Sequence, residues 1–256
     1  MSLLAADIGN SHTTLGLLVD GEVLDHWRVA TLDSRTADEW FVLLQGLIQQ
    51  TASEADAISG IAVCSTVPAV LHEWRDMLGR HYAAIPSVVV EPGVRTGVPV
   101  LMDNPREVGA DRIVNALAAA TLYDGPAIVV DFGTATTFDI VSHDGEYLGG
   151  ALMTGIEISL EALSERGARL PKIDLAPPRS VIGKNTVDAI RAGVVYGYAG
   201  AIDAILRRLY DELGEHADTV ATGGLAGLVV PYSEEIDTVD DLLTLTGLRL
   251  LHERNG

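Results

Sequence analysis

One cysteine and two lysines occur in the sequence, and each scarcity closes off a class of chemistry. Cys64 stands alone inside the apolar run Ile61-Ala62-Val63-Cys64, so no disulfide can form within the chain and no cluster of thiolates can hold a metal. It reads as a buried structural thiol rather than a nucleophile. The seven histidines (12, 26, 72, 81, 143, 216 and 252) never fall at the i, i+4 spacing that puts two imidazoles on one helix face, which argues against zinc chemistry. Lysine occurs only at 172 and 184, so any phosphate-handling device must rely on arginine, backbone N–H groups or bound cations. Basic residues number 17 against 36 acidic, a formal charge of −19 that repels a phosphate backbone; nucleic acid and anionic membranes are not expected partners. No stretch approaches the roughly 18 uninterrupted apolar residues of a membrane span. The first ten residues carry no basic leader and reach Asp7 after a few apolar positions, so no signal peptide and a cytoplasmic location are expected.

What is present is an ordinary globular composition, 48% hydrophobic over 256 residues, enough for one large domain or two modest ones. Residues 3–9 are mostly apolar and end in Asp7-Ile8-Gly9-Asn10. An alternating run to Val19, an Asp20-Gly21 turn and a third run from Glu22 to Thr31 follow, which predicts a three-stranded meander. Apolar positions at Trp40, Leu43, Leu44, Leu47 and Ile48 then recur at helical spacing. The same order returns from residue 127: an apolar run ending in Asp131-Phe132-Gly133-Thr134, an alternating run to Ser142, an Asp144-Gly145 turn and a third run to about Leu152. Thirteen residues separate Asp7 from Asp20, and thirteen separate Asp131 from Asp144. This reads as an internal duplication, giving two related α/β halves, 1–115 and 116–256. Residues 105–122 read as one helix with Asn104 as N-cap and Pro105 in its first position. Residues 59–65 and 219–225 are short apolar runs, one per half, that end in CSTVP and ATGGLAG. The segment from Asp188 to Leu213 reads as a long helix, and the Pro-rich stretch 171–178 as a loop.

Two Asp-x-Gly-polar loops, each closing a first strand, are what a two-lobed nucleotide clamp needs. Glycine lets the backbone approach phosphate, the neighbouring Asn, Ser and Thr offer donors, and the aspartate can hold a cation or its water shell. For one loop alone, a tight turn with a capping aspartate explains the pattern equally well; two copies in register favour the nucleotide reading. Gly183-Lys184 resembles the end of a P-loop, but Pro178 stands at the first glycine position and Asn185 in place of Ser or Thr. No G-x-G-x-x-G follows a strand. Gly109-Ala110-Asp111-Arg112, at the start of an apolar helical segment, supplies a carboxylate able to take a proton from a hydroxyl beside an arginine able to pair with an anion. An exposed Asp-Arg ion pair is an equal reading of these four residues taken alone.

The segments DIGNSHTTLG (7–16), TGVPVLMDNPREVGADR (96–112), DFGTATTFD (131–139), GGALMTG (149–155), ARLPKIDL (168–175), IGKNT (182–186) and TGGLA (222–226) resemble type III pantothenate kinases. The match runs in order over nearly the whole chain. It implies an α/β fold of two ribonuclease-H-like, actin-like ATPase halves, each a mixed sheet with an N-terminal three-stranded meander flanked by helices. It implies ATP-dependent phosphorylation of pantothenate to 4′-phosphopantothenate, the first step of coenzyme A biosynthesis, with Mg²⁺ and a monovalent cation, K⁺ or NH₄⁺. By resemblance Asp7, Ile8, Gly9, Asn10, Ser11, His12, Thr13 and Thr14 form the first ATP phosphate loop, and Thr134 is a further ATP contact. Asp131 is a ligand of the monovalent cation. Gly109, Ala110, Asp111 and Arg112 form the pantothenate site with Asp111 as proton acceptor, and Thr186 is a substrate contact supplied by the partner subunit of a homodimer.

Three departures from the family pattern stand out. Met102 replaces a usual Tyr, Ser11 a usual Thr, and Thr154 the usual Pro of a GGxxxPG turn. Two other readings keep the scaffold: a non-catalytic transcriptional regulator, and a kinase of another small hydroxyl or acid acceptor. The joint presence of Asp111, Asp131 and Thr186 favours the kinase over the regulator, and GADR with IGKNT favours pantothenate as acceptor.

Overall fold

The computed structural model describes residues 1–51, 58–167 and 170–256; Ala168 and Arg169 of the ARLPKIDL segment lie outside the described residues. Among the described residues the chain forms two compact units, Met1–Ala118 with Leu242–Gly256, and Ala119–Asp241.

In the first unit β1 (Ser2–Ile8), β2 (His12–Val19) and β3 (Glu22–Ala30) form the meander. Helix α1 (Ala37–Thr51), β4 (Gly60–Ser65), α2 (Pro68–His81) and β5 (Ser87–Val89) follow. The sheet order is β3-β2-β1-β4-β5, antiparallel within the meander and parallel from β1 to β5. As the central strand, β1 is apolar almost throughout, because both its faces are covered. Side chains alternate along it. Leu4, Ala6 and Ile8 join Trp40 and Leu44 of α1 and Val70, Trp74 and Met77 of α2 in one core, where the two indoles lie 5.4 Å apart. Leu3, Ala5 and Asp7 face the other side. Helix α1 begins on a capping box, with Thr36 N–H donating to Glu39 Oε2 (2.8 Å) and Glu39 N–H to Thr36 Oγ1 (3.4 Å).

The second unit repeats the plan. Strands β6 (Ala127–Phe132), β7 (Ala135–Val141) and β8 (Tyr147–Thr154) form the meander, then come α4 (Ile156–Arg166), α5 (Thr186–Leu213), β9 (Asp218–Thr222), α6 (Ala226–Val229) and β10 (Thr238–Val239). The order β8-β7-β6-β9-β10 mirrors the first sheet strand for strand, with the same directions. A bulge recurs as well: Leu24 and Leu148 are the residues skipped in the pairing of the second and third strands, each 17 positions after its Asp7 or Asp131. The equal thirteen-residue spacing hides a compensation. The first loop has three residues (9–11) and the second two (133–134), while the Asp20-Gly21 turn is two residues and its counterpart, 142–146, five. Helix α5 has the length and composition of a membrane span, yet its Ala192 and Val195 are buried and its Ala199, Ile202 and Leu206 pack into the second sheet's core.

Two sequence expectations differ from the structure. The stretch 105–122 is not one helix but a short 3-10 turn, Pro105–Glu107, and a separate helix α3 (Ala110–Leu122). The interruption at Val108-Gly109 gives room for the Asp111 side chain, described below. The final helix α7 (Leu243–Asn255), read from sequence as part of the second half, belongs to the first unit. It covers the sheet face opposite α1 and α2, and its Leu243, Leu245, Leu248 and Leu251 are buried. Leu248→Ala is expected to destabilise the protein by about 2–5 kcal/mol in chemical denaturation, the usual cost of emptying a full leucine site; a change below about 0.5 kcal/mol, the surface range, would contradict this packing.

Candidate active site

In the first unit, the face of the sheet that carries α7 ends in a row of polar side chains. Strand register sets Cys64 beside Asp7, Asp7 beside Thr14 and Thr14 beside Arg28, across β4, β1, β2 and β3. The loop at the end of this row is closed by Gly9 N–H donating to the His12 carbonyl (3.0 Å), and Thr31 N–H holds the Ser11 carbonyl (3.0 Å). Asn10 and Ser11 are exposed. Ile8 and Thr13 face the other way: Ile8 lies in the core, and the wholly buried Thr13 hydroxyl is 2.9 Å from that of Thr31. Of the expected phosphate-loop residues, these two offer a ligand only their main chain.

Asp111 and Asp7 come together in this unit. Asp111 sits in the first turn of α3, with Oδ1 accepting from Arg112 N–H at 2.9 Å. A Cβ on Gly109 would overlap that same Oδ1, so the glycine of the GADR segment is what allows the carboxyl to fold back over the helix start. Burial raises the Asp111 pKa above the usual carboxylate range, against the backbone bond and the charge of Arg112. Asp7 keeps some surface, but its carboxyl is densely surrounded. Desolvation and then the charge of Asp111 push its pKa to about 7, against a hydrogen bond from the Cys64 thiol at 3.2 Å. The Cys64 thiol is itself pushed well above its ordinary range, first by burial and then by both carboxylates, so it is an inert donor and not a nucleophile.

In the second unit, the parallel pairing of β6 and β9 sets Thr222 beside Asp131, as Cys64 stands beside Asp7. Gly223 follows with φ +92°, and a side chain there would lie 2.6 Å from Asp131 Oδ1. The Gly133-Thr134 loop is exposed on one side and backed on the other by Gly155, where a Cβ would overlap the Thr134 carbonyl. Thr154, at the usual proline position, ends β8 with its carbonyl accepting from the Tyr198 hydroxyl (2.8 Å), which secures the turn without the proline. Thr186 is the exposed first residue of α5. Asn185 caps that helix, accepting from Asp188 N–H (2.9 Å), and Gly183 lets the incoming chain lie against the first turn.

Among the described residues no three His, Cys, Asp or Glu side chains gather as a metal site would need. Each unit thus ends its central strand in an aspartate followed by a polar loop, with a polar residue of the neighbouring parallel strand beside that aspartate. The sequence profile of type III pantothenate kinases matches residues 3–208. The type III pantothenate kinase of Streptomyces avermitilis is 58% identical over 260 residues, covering 99% of this chain and 98% of its own length. The chain belongs to the type III pantothenate kinase family. A solved structure from Campylobacter jejuni, grouped with the Baf family of transcriptional activators, aligns with TM-score 0.58 at 21% identity, over 98% of each chain. A ROK family glucokinase from Streptomyces griseus, in complex with glucose and AMPPNP, aligns with TM-score 0.53 at 13% identity, over 99% of each chain. At these identities the two structures speak to the fold alone, an α/β fold with two five-stranded mixed sheets.

The sequence singled out most of these residues but not their pairings. The bond from Cys64 to Asp7 spans 57 residues and exists only through the β1–β4 register. The one available signal was that both CSTVP and TGGLA follow an apolar run in corresponding places. Because the folded pKa of Asp7 lies above the value near 3.8 of an open carboxyl, ionising it opposes folding. Asp7→Asn is therefore expected to raise the thermal midpoint of the metal-free kinase, by a margin that grows as pH rises from about 4 to about 7 and then levels off. A pH-independent difference in thermal melts would contradict the assignment.

Proposed function

We propose that Asp111 accepts the proton of the pantothenate 4′-hydroxyl while that oxygen attacks the γ-phosphorus of ATP. The reaction itself follows from the family: ATP-dependent phosphorylation of pantothenate, the first step of coenzyme A biosynthesis. The new O–P bond forms as the bond from the γ-phosphorus to the β–γ bridging oxygen breaks, and ADP leaves with that oxygen. The observation that carries the role of Asp111 is its half-buried carboxyl, turned back at Gly109 onto the Arg112 N–H and raised in pKa, since a more basic carboxylate is a better proton acceptor near neutral pH. Gly109, Ala110 and Arg112 complete the pantothenate site, Arg112 as the partner of an anionic group.

Phosphoryl transfer asks a protein chiefly for positioning and charge compensation. The Asp7 carboxylate fits the Mg²⁺ of MgATP, an ion that takes one or two carboxylates together with phosphate oxygens rather than an all-protein cage. When bound, Mg²⁺ neutralises charge developing on the phosphates. Main-chain and side-chain donors of residues 7–14 and the hydroxyl of Thr134 orient the polyphosphate. Asp131, walled by the close approach of Gly223, holds the monovalent cation, K⁺ or NH₄⁺. The kinase works in the cytoplasm as a homodimer in which Thr186 of the partner subunit contacts pantothenate. Val181 and Ile182, 70% and 79% exposed and a few residues before Thr186, are the kind of surface pair a subunit contact covers.

Asp111→Asn is expected to lower kcat by about 10²–10⁴ with ATP affinity retained, read by steady-state kinetics and calorimetry; turnover near that of the parent protein would remove Asp111 from the role. Asp131→Ala is expected to abolish stimulation by K⁺ over Na⁺, and a retained K⁺ response would move the cation elsewhere. Light scattering should give the mass of a dimer. A monomer at assay concentration would refute the assignment of Thr186.

A further inference from the structure

The first unit contains no lysine, so the fixed positive charge that it carries itself comes from arginine, histidine or its N-terminus. One arginine stands in its polar row. Strand β3 pairs Arg28 with Thr14, which pairs with Asp7, so the three side chains leave the same face of the sheet on adjacent strands. Arg28 Nη2 donates to His12 Nδ1 at 2.9 Å. Arginine has no acceptor, so the ring nitrogen accepts. His12 is two residues from Thr14 on the same strand, and the bond therefore ties the guanidinium to the phosphate-loop end of the row. Among the described residues Arg28 makes no ion pair, and unlike Arg35, Arg191 and Arg208, which also make none and bond main-chain carbonyls, it stands in the polar row. In a chain of net charge −19, an arginine without a carboxylate partner beside a row of phosphate-loop residues calls for an anion.

We propose that Arg28 is a phosphate-binding residue of the nucleotide site: with Nη2 anchored on His12, its remaining N–H groups bind an oxygen of the ATP polyphosphate. The planar guanidinium suits that partner better than an ammonium, because several parallel N–H bonds can form at once. The inference rests on the reading of residues 7–14 as the phosphate loop.

The test uses the full-length kinase with MgATP and pantothenate. Arg28→Gln is expected to weaken ATP, by calorimetric Kd and by KM, about tenfold to a hundredfold, the range for losing a charge-assisted hydrogen bond. The KM for pantothenate should stay unchanged, and Arg28→Lys should recover part of the loss. Because Arg28 is exposed, the thermal melt of Arg28→Gln should match that of the parent protein. Adding Arg28→Gln to His12→Ala should weaken ATP further; no further loss would mean that Arg28 acts only through His12, and would overturn a direct contact. An equal rise in both KM values would overturn it too, as a general distortion. If Arg28→Gln binds ATP normally while Thr14→Val does not, the proposal fails and the phosphate loop stands. If both bind ATP normally, the loop reading fails with it.

Discussion

Two like charges kept out of water govern the first unit. Asp7 and Asp111 belong to elements that meet only in the folded chain, a central strand and the first turn of α3, and each is desolvated enough to resist ionisation. A carboxylate pair of this kind is costly to bury without a compensating charge. Carboxyls shed that cost by taking up a proton or by facing a cation, and a phosphoryl-transfer site needs both. The roles proposed above, Asp111 as proton acceptor and Asp7 facing Mg²⁺, are in this sense two consequences of one constraint.

The scaffold that enforces it is simple. Strand alternation commits Leu4, Ala6 and Ile8 to the core with α1 and α2, which leaves Leu3, Ala5 and Asp7 for the opposite face, and α7 covers that face short of its polar end. The polar row is therefore a by-product of the same period that builds the core. The second unit repeats the solution with different residues: Thr222 stands where Cys64 does, and a left-handed glycine supplies the clearance beside Asp131. Duplication has preserved strand order, direction and bulge position while loop lengths drifted.

Much of this was legible in the sequence because turn chemistry is local. Asp20-Gly21, Asp144-Gly145 and the two Asp-x-Gly loops marked the meanders, and the GADR, DFGTATT and IGKNT segments marked the family. The misses are non-local. Asn104 and Pro105 open only a three-residue 3-10 turn, and nothing nearby tells that the α-helix starts afresh at Ala110, after a glycine that leaves room for the Asp111 carboxyl. Helix α7 carries no label for the sheet it covers, and the short edge strands β5 and β10 have too few residues for a periodic signal. The contacts from Cys64 to Asp7 and from Arg28 to His12 depend on register, which a single strand's sequence does not declare.

The most direct measurement is ADP release by the purified protein from MgATP, with and without pantothenate. The account predicts release that requires pantothenate, with a phosphate monoester on its 4′-oxygen as the second product. Normal ATP binding without any pantothenate-dependent release would contradict it.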